Sequence, residues 1–490
     1  LCTFVFLSHN LLLSVVARNV NHWCRPPPEY ANLTPEEWRD IGVPRDDSGS
    51  WLECLRYDPP LSVNLTNRSQ VACEDWDYSL RGYSIITEWN LVCHRHWLVA
   101  LASVVYTIGA AVAAPIMGEL SDKMGRRTVI YMSVLSLLIS GTAVCFASSF
   151  QQFAALRVWV SASASTLQIT SFVLLFELLA PAYQCLYSVV AIGTATVAAP
   201  LFLSVVDDLA HKWILVQLAV MLPTSLLLST FILTVESPRW LVTTMDFMDA
   251  ERVLLRAARI NGCSVHEAQQ RWRVHNTHFY GRDGGEPPLR KFNLVDVLRS
   301  KTLQRRVIIC FWCWFFVMLA YYQALSGHVV TLWQQTASVV LQGFGCMLVY
   351  FSATKRGRRA TLLALLVAFS LLEGALAVVS VFRLPYGLVL VVNMAAVIVL
   401  HLTIVLLYAY TAELFPTVVR SVGMCAVYFF GRLGAIASPF LRELGGLANQ
   451  EVVWCLVSVL GIFTALAVHW LPETISAGVM NTFRDVEDAE

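Results

Sequence analysis

Arg432 and Tyr428 stand one helical turn apart in the apolar run 422–441, so both project from one face of any helix formed there. Arg432 is about ten residues from either end of that run, too far at ~1.5 Å per residue for its charge to reach water, so it requires an anion or an acid beside it. The anion can be a bound solute. The acid can be Glu373, in the run 361–382, and the two would then form a structural ion pair. Tyr321 and Tyr322 in AYYQAL offer rings that could stack on a flat organic ion, although aromatics at helix ends also form interfacial belts. His401, inside another apolar run, either titrates near neutral pH or is a satisfied core histidine. His9 and Asn10 interrupt the first run and are expected to face the bundle interior, toward a helix neighbour or a solute. No glycine-rich phosphate loop, nucleophile with base or catalytic carboxylate pair is present, which argues against an enzyme, and no cofactor is expected. Cys310 and Cys313 form a CxxC without a second pair of ligands, so no metal site is expected.

What must position these residues is a set of membrane helices. The 490 residues are 57% hydrophobic and only 14% charged, with a mean hydropathy of +0.59, too apolar for a water-soluble protein of this length. A bilayer core of about 30 Å takes about 20 apolar residues per helix. After a first span ending near Val16, apolar runs fall at 97–117, 128–146, 153–179, 186–206, 213–235, 307–325, 330–353, 361–382, 386–410, 422–441 and 452–471, giving twelve spans as six plus six. The chain begins at Leu1 inside an apolar run without an initiator Met, so further residues are expected upstream. A net charge of +1, with basic residues confined to loops, gives no nucleic-acid surface; the expected partners are the lipid bilayer and a small organic ion.

The loops supply the orientation. Residues 19–96 carry Cys24, Cys54, Cys73 and Cys93 together with sequons at Asn32, Asn64 and Asn67, which marks an extracellular folded loop with disulfides. Four cysteines allow three pairings, all open at this point. On the opposite side lies GELSDKMGRR, which contains Gly118, Asp122, Gly125, Arg126 and Arg127; YFSATKRGRR repeats it in the second half with Gly357, Arg358 and Arg359. Glu177 and Glu413 end corresponding runs, so the chain is a duplication of the kind used by transporters. The basic residues, Arg420 among them, obey the positive-inside rule. The expected division is an amino-terminal six-helix bundle at 1–235, a cytoplasmic linker with short helices at 236–306, a second bundle at 307–471 and an acidic, solvated tail at 472–490. Apolar residues at helical spacing over 249–261 predict a surface helix, and GRDGGEPP at 281–288 a hinge.

GELSDKMGRR resembles the loop motif between the second and third helices of the major facilitator superfamily. NHWCRPP at 21–27, ESPRWL at 236–241 and YTAELFPTVVR at 410–420 narrow the resemblance to the organic ion transporters of solute carrier family 22, over nearly the whole chain. The resemblance implies an all-α membrane protein of the major facilitator fold, with twelve transmembrane helices in two six-helix bundles. It implies transport of small organic ions by alternating access at the plasma membrane, with both termini cytoplasmic. Relatives that carry anions have a cation at the place of Arg432, and paired tyrosines line the cavity at the places of Tyr321 and Tyr322. Asp122, Arg126, Glu177, Glu236 and Arg239 are expected to latch the cytoplasmic side. Three residues depart from the family pattern: Thr354 where Asp122 has its counterpart, Gln184 where a base follows Glu177, and Cys346 where anion carriers tend to have lysine. A transport-deficient receptor or scaffold binding through the 19–96 loop is the alternative.

Overall fold

Apolar runs of this length leave the backbone no hydrogen-bond partner but itself inside a bilayer, and they fold as helices. The computed structural model describes residues 1–46, 49–60, 69–80, 82–230, 234–282, 299, 301–325 and 332–475. The crossing helices are α1 Cys2–Val16, α2 Trp97–Met124, α3 Arg126–Ala143, α4 Phe150–Leu178, α5 Pro181–Leu209 and α6 Trp213–Leu226. The second half has α7 Lys301–Leu325, α8 Leu332–Lys355, α9 Arg358–Val381, α10 Tyr386–Leu414, α11 Arg420–Ala448 and α12 Gln450–Val468. Ten are long and apolar enough to cross a membrane, and the regions of α1 and α6 are shorter apolar helices.

Several helices run past the hydropathic limits. Helices α3, α9 and α11 begin at Arg126, Arg358 and Arg420, before the spans expected from Thr128, Thr361 and Val422. Hydropathy falls where charge begins, but the backbone stays helical as far as Gly125 and Gly357, whose φ values are +95° and +107°. Only a residue without Cβ adopts that conformation readily.

Each half packs through small residues. Buried Ser161, Ser163, Ala164, Ser165 and Thr166 occupy successive faces of α4, and Gly109 of α2 lies against the backbone of Val158, a close approach that side chains this small permit. The halves meet where Gly118 of α2 faces Cys425 of α11, and where Gly193 of α5 faces Cys346 of α8.

Outside the bundles, two antiparallel strand pairs, His22–Cys24 with Trp76–Tyr78 and Leu55–Asp58 with Ser69–Ala72, frame the 19–96 loop. Disulfides join Cys24 to Cys73 and Cys54 to Cys93, choosing one of the three pairings. Asn32 is exposed; Asn64 and Asn67 lie outside the described residues. On the other side, helices Phe247–Ile260 and Val265–Arg282 follow Pro238–Thr243 and share a small core of Leu241, Ala250 and Trp272. The second of these runs through Arg282, two residues into the stretch read as a hinge, and 283–288 lie outside the described residues. So does the tail beyond Ile475.

Candidate functional site

Side chains of α1, α4, α7 and α11 meet around Arg432. Its position twelve residues into α11 puts it ~18 Å from that helix's first residue, Arg420, and it is only 5% exposed. Arg432 Nη1 donates to Tyr322 Oη of α7 at 3.0 Å and Nη2 donates to Tyr428 Oη. The guanidinium carbon lies 4.6 Å from the Tyr428 ring centroid and 5.5 Å from that of Phe6 on α1. Tyr428 in turn donates to Ser165 Oγ of α4 at 3.1 Å, and Asn10 Nδ2 of α1 donates to Tyr322 Oη at 3.0 Å, so these hydroxyls tie the two halves together. Tyr321 stands edge-on to Tyr322, with ring centroids 5.6 Å apart, and 6.3 Å from the buried ring of His401.

Glu373 is not part of this group. It is fully buried on α9, and neither carboxylate oxygen has a hydrogen-bond partner. Ser370, one turn before it, accepts at its carbonyl from Ser458 of α12, which shows that this side of α9 packs toward α12. The structure therefore does not form the Arg432–Glu373 pair offered by the sequence. Among the described residues no carboxylate stands within ion-pair distance of Arg432.

The helix ends opposite the 19–96 loop hold the acids. Arg126 pairs with Asp122 at 2.7 Å and with Glu177 at 3.3 Å, both within the first half. Arg420 of the second half reaches Glu177 at 3.0 Å, and Asp122 Oδ2 accepts the amide of Val422 at 3.0 Å. These two contacts cross between the halves. Glu236 does not pair with Arg239; it accepts the amides of Arg126 and Arg127 at 3.1 and 3.0 Å, capping α3, while Arg239 Nε donates to the carbonyl of Glu177. Burial pushes the Glu236 carboxyl up from its ordinary value, and those amides draw it part of the way back.

The second half repeats the plan with parts missing. Arg358 pairs with Glu413 at 3.2 Å, Thr474 donates to the same carboxylate, and Arg359 Nη1 donates to the carbonyl of Leu471 at 3.0 Å. Glu473 caps α9 through the amides of Arg358 and Arg359 at 2.8 and 3.2 Å, a counterpart of Glu236 missed in the sequence, where its signal was an acid just after the last helix of each half. Thr354 Oγ1 turns back on the carbonyl of Tyr350 in its own helix. Gln184 donates to the carbonyls of Phe176 and Leu179, as Arg420 Nε does to those of Ala412 and Phe415. An amide has no further arm to extend to the opposite half, so among the described residues the Arg420–Glu177 pair has no counterpart from Gln184 to Glu413.

Sequence reasoning also passed over Arg157, Tyr106 and Ser165, because a residue within or at the end of an apolar run reads as a helix contact until its partner helices are known.

A family model described as Major Facilitator Superfamily matches residues 95–439. The chain is 30% identical to solute carrier family 22 member 6 of Danio rerio over 98% of this chain and 89% of that protein. It is 28% identical to solute carrier family 22 member 7 of Rattus norvegicus, over 98% and 92%, and 27% identical to organic anion transporter 3 of Pongo abelii, over 98% and 88%. Among solved structures it matches the proton:xylose symporter XylE bound to 6-bromo-6-deoxy-D-glucose, with a TM-score of 0.65 at 16% identity over 81% of this chain and 90% of that one. It matches the inward open conformation of XylE from E. coli with a TM-score of 0.55 at 16% identity, over 100% and 98%. Likeness at this identity speaks for the fold alone.

Proposed function

The chain belongs to the major facilitator superfamily and, within it, to solute carrier family 22, and from that premise we propose that it carries small organic anions across the plasma membrane by alternating access. One observation carries the choice of anions: the guanidinium of Arg432 is buried at the centre of the bundles among the phenols of Tyr322 and Tyr428, with no carboxylate beside it among the described residues. A buried cation without an acid is costly, and a solute carboxylate or sulfonate would relieve that cost. The aromatic walls suit a flat organic framework.

In this reading the contacts Arg420–Glu177 and Val422–Asp122 hold the cytoplasmic side closed, with both termini in the cytoplasm and the disulfide-bonded loop outside. Binding at Arg432 draws the halves together around the anion. Breaking the cytoplasmic contacts then opens the site inward. What speaks against the receptor alternative is that the relatives are named for transport and that the pair Arg420–Glu177 joins the halves.

Uptake of a panel of labelled organic anions into cells expressing the protein, set against matched organic cations and cells without it, tests the reading. Saturable uptake of one or more anions is expected. Uptake confined to cations or neutral solutes contradicts it.

A further inference from the structure

Arg305 stands exposed in the first turns of α7, with its guanidinium over the ring of Trp470 at 4.7 Å from the centroid. Trp470, in the turn that follows α12, is itself 66% exposed. Apart from that ring the guanidinium has no partner among the described residues. Glu473, three residues beyond Trp470, is already taken by the amides of Arg358 and Arg359. A second cation reaches the same turn: Arg359 Nη1 donates to the carbonyls of His469 and Leu471, on either side of Trp470, at 3.4 and 3.0 Å.

Below this pair runs a seam between two helices. Trp312 of α7 meets Phe463 of α12 with ring centroids 5.8 Å apart, and its Nε1 donates to Thr464 Oγ1 at 3.0 Å. Arg305 lies seven residues before Trp312 and Trp470 seven after Phe463, about two turns in opposite chain directions, so both contacts belong to one antiparallel seam. Ile308 and Leu466, between them, are exposed. Along α12 the exposed apolar residues Val459, Phe463 and Leu466 recur at helical spacing and end at Trp470. In a membrane protein such a stripe faces acyl chains, and a tryptophan at its end marks the level of the headgroups. The seam therefore offers an apolar strip headed by an indole and by a guanidinium with its N–H donors unused. A soluble anion gains nothing from the strip, and the choline of a zwitterionic headgroup meets like charge at its head.

We infer that the α7–α12 seam is a binding site for one anionic phospholipid of the leaflet opposite the 19–96 loop. Arg305 holds the headgroup anion, Arg359 adds to the local positive charge, and an acyl chain lies along Ile308 and Leu466. The site is separate from the surroundings of Arg432 and does not depend on which solute is carried.

The test is native mass spectrometry and thermal unfolding of the full chain in detergent, with phosphatidylserine or phosphatidylcholine of the same acyl chains added, for the parent, Arg305→Gln, Arg305→Lys and Trp470→Leu. The parent should bind one phosphatidylserine in preference to phosphatidylcholine and gain in Tm from it. Arg305→Gln should weaken phosphatidylserine binding about fivefold, the scale of one cation at an anionic lipid surface, and lose the preference. Arg305→Lys should keep the preference, and Trp470→Leu should weaken phosphatidylserine binding as well. Equal binding of the two lipids by the parent, or undiminished phosphatidylserine binding by Arg305→Gln, overturns the inference. Equal protection by soluble glycerophosphoserine also overturns it, since the site would then take a free anion and not a lipid. If Arg305→Gln is not recovered folded, Trp470→Leu carries the test, and unchanged phosphatidylserine binding in that variant is the overturning result.

Discussion

At the scale of single residues, the telling contrast is between Arg432, which is held by phenols, and Glu373, which is held by nothing. A buried acid without a partner gains nothing from its charge, so Glu373→Gln should leave surface abundance intact and uptake within about twofold of the parent. Retention of that variant inside the cell, or altered charge selectivity, would mean that Glu373 meets Arg432 in another state of the transporter. Depth in an apolar run was legible for both residues. Which way each faced was not, because hydropathy does not record that the Glu373 side of α9 packs toward α12 while α11 turns Arg432 inward. Arg157 escaped notice for a related reason. An arginine near the end of an apolar run reads as one that snorkels to the interface, and only the cover supplied by α1 and α2 removes that route.

At the scale of elements, the duplication was legible from charged loops between apolar runs, as were the departures from it at Thr354 and Gln184. Gln184 already makes the two carbonyl contacts that Arg420 makes in the other half. An arginine there would have a free arm directed at Glu413. Gln184→Arg should favour the cytoplasm-closed state by about 1 to 3 kcal/mol, the usual scale of such couplings. The measurements are turnover and cytoplasmic labelling of Cys346 and Cys425, the thiols buried where the halves meet, and both should fall. Unchanged labelling and turnover would contradict this. Glu473 was hidden in a tail that reads as solvated, yet it caps α9 as Glu236 caps α3. Removing either cap by substitution with Ala should cost about 0.5 to 2 kcal/mol. Thermal unfolding in detergent should show similar losses for the two variants, and a loss confined to Glu236→Ala would break the symmetry claimed here.

At the scale of the whole molecule, two halves joined at the helix ends opposite the 19–96 loop enclose a centre rich in donors and cations. The acids that balance the charge of the cytoplasmic loops, Asp122, Glu177 and Glu413, are all committed there, and no carboxylate among the described residues reaches the arginine at the centre. In the proposed function, selectivity follows from where charge is left unpaired, since the aromatic walls alone would admit flat solutes of either sign. The measurement that bears most directly on this is the uptake ratio of a matched organic anion and cation by the parent and Arg432→Ala, at equal surface abundance. Loss of anion uptake in a variant that still reaches the surface is the predicted result. Undiminished anion uptake by surface-expressed Arg432→Ala would contradict it.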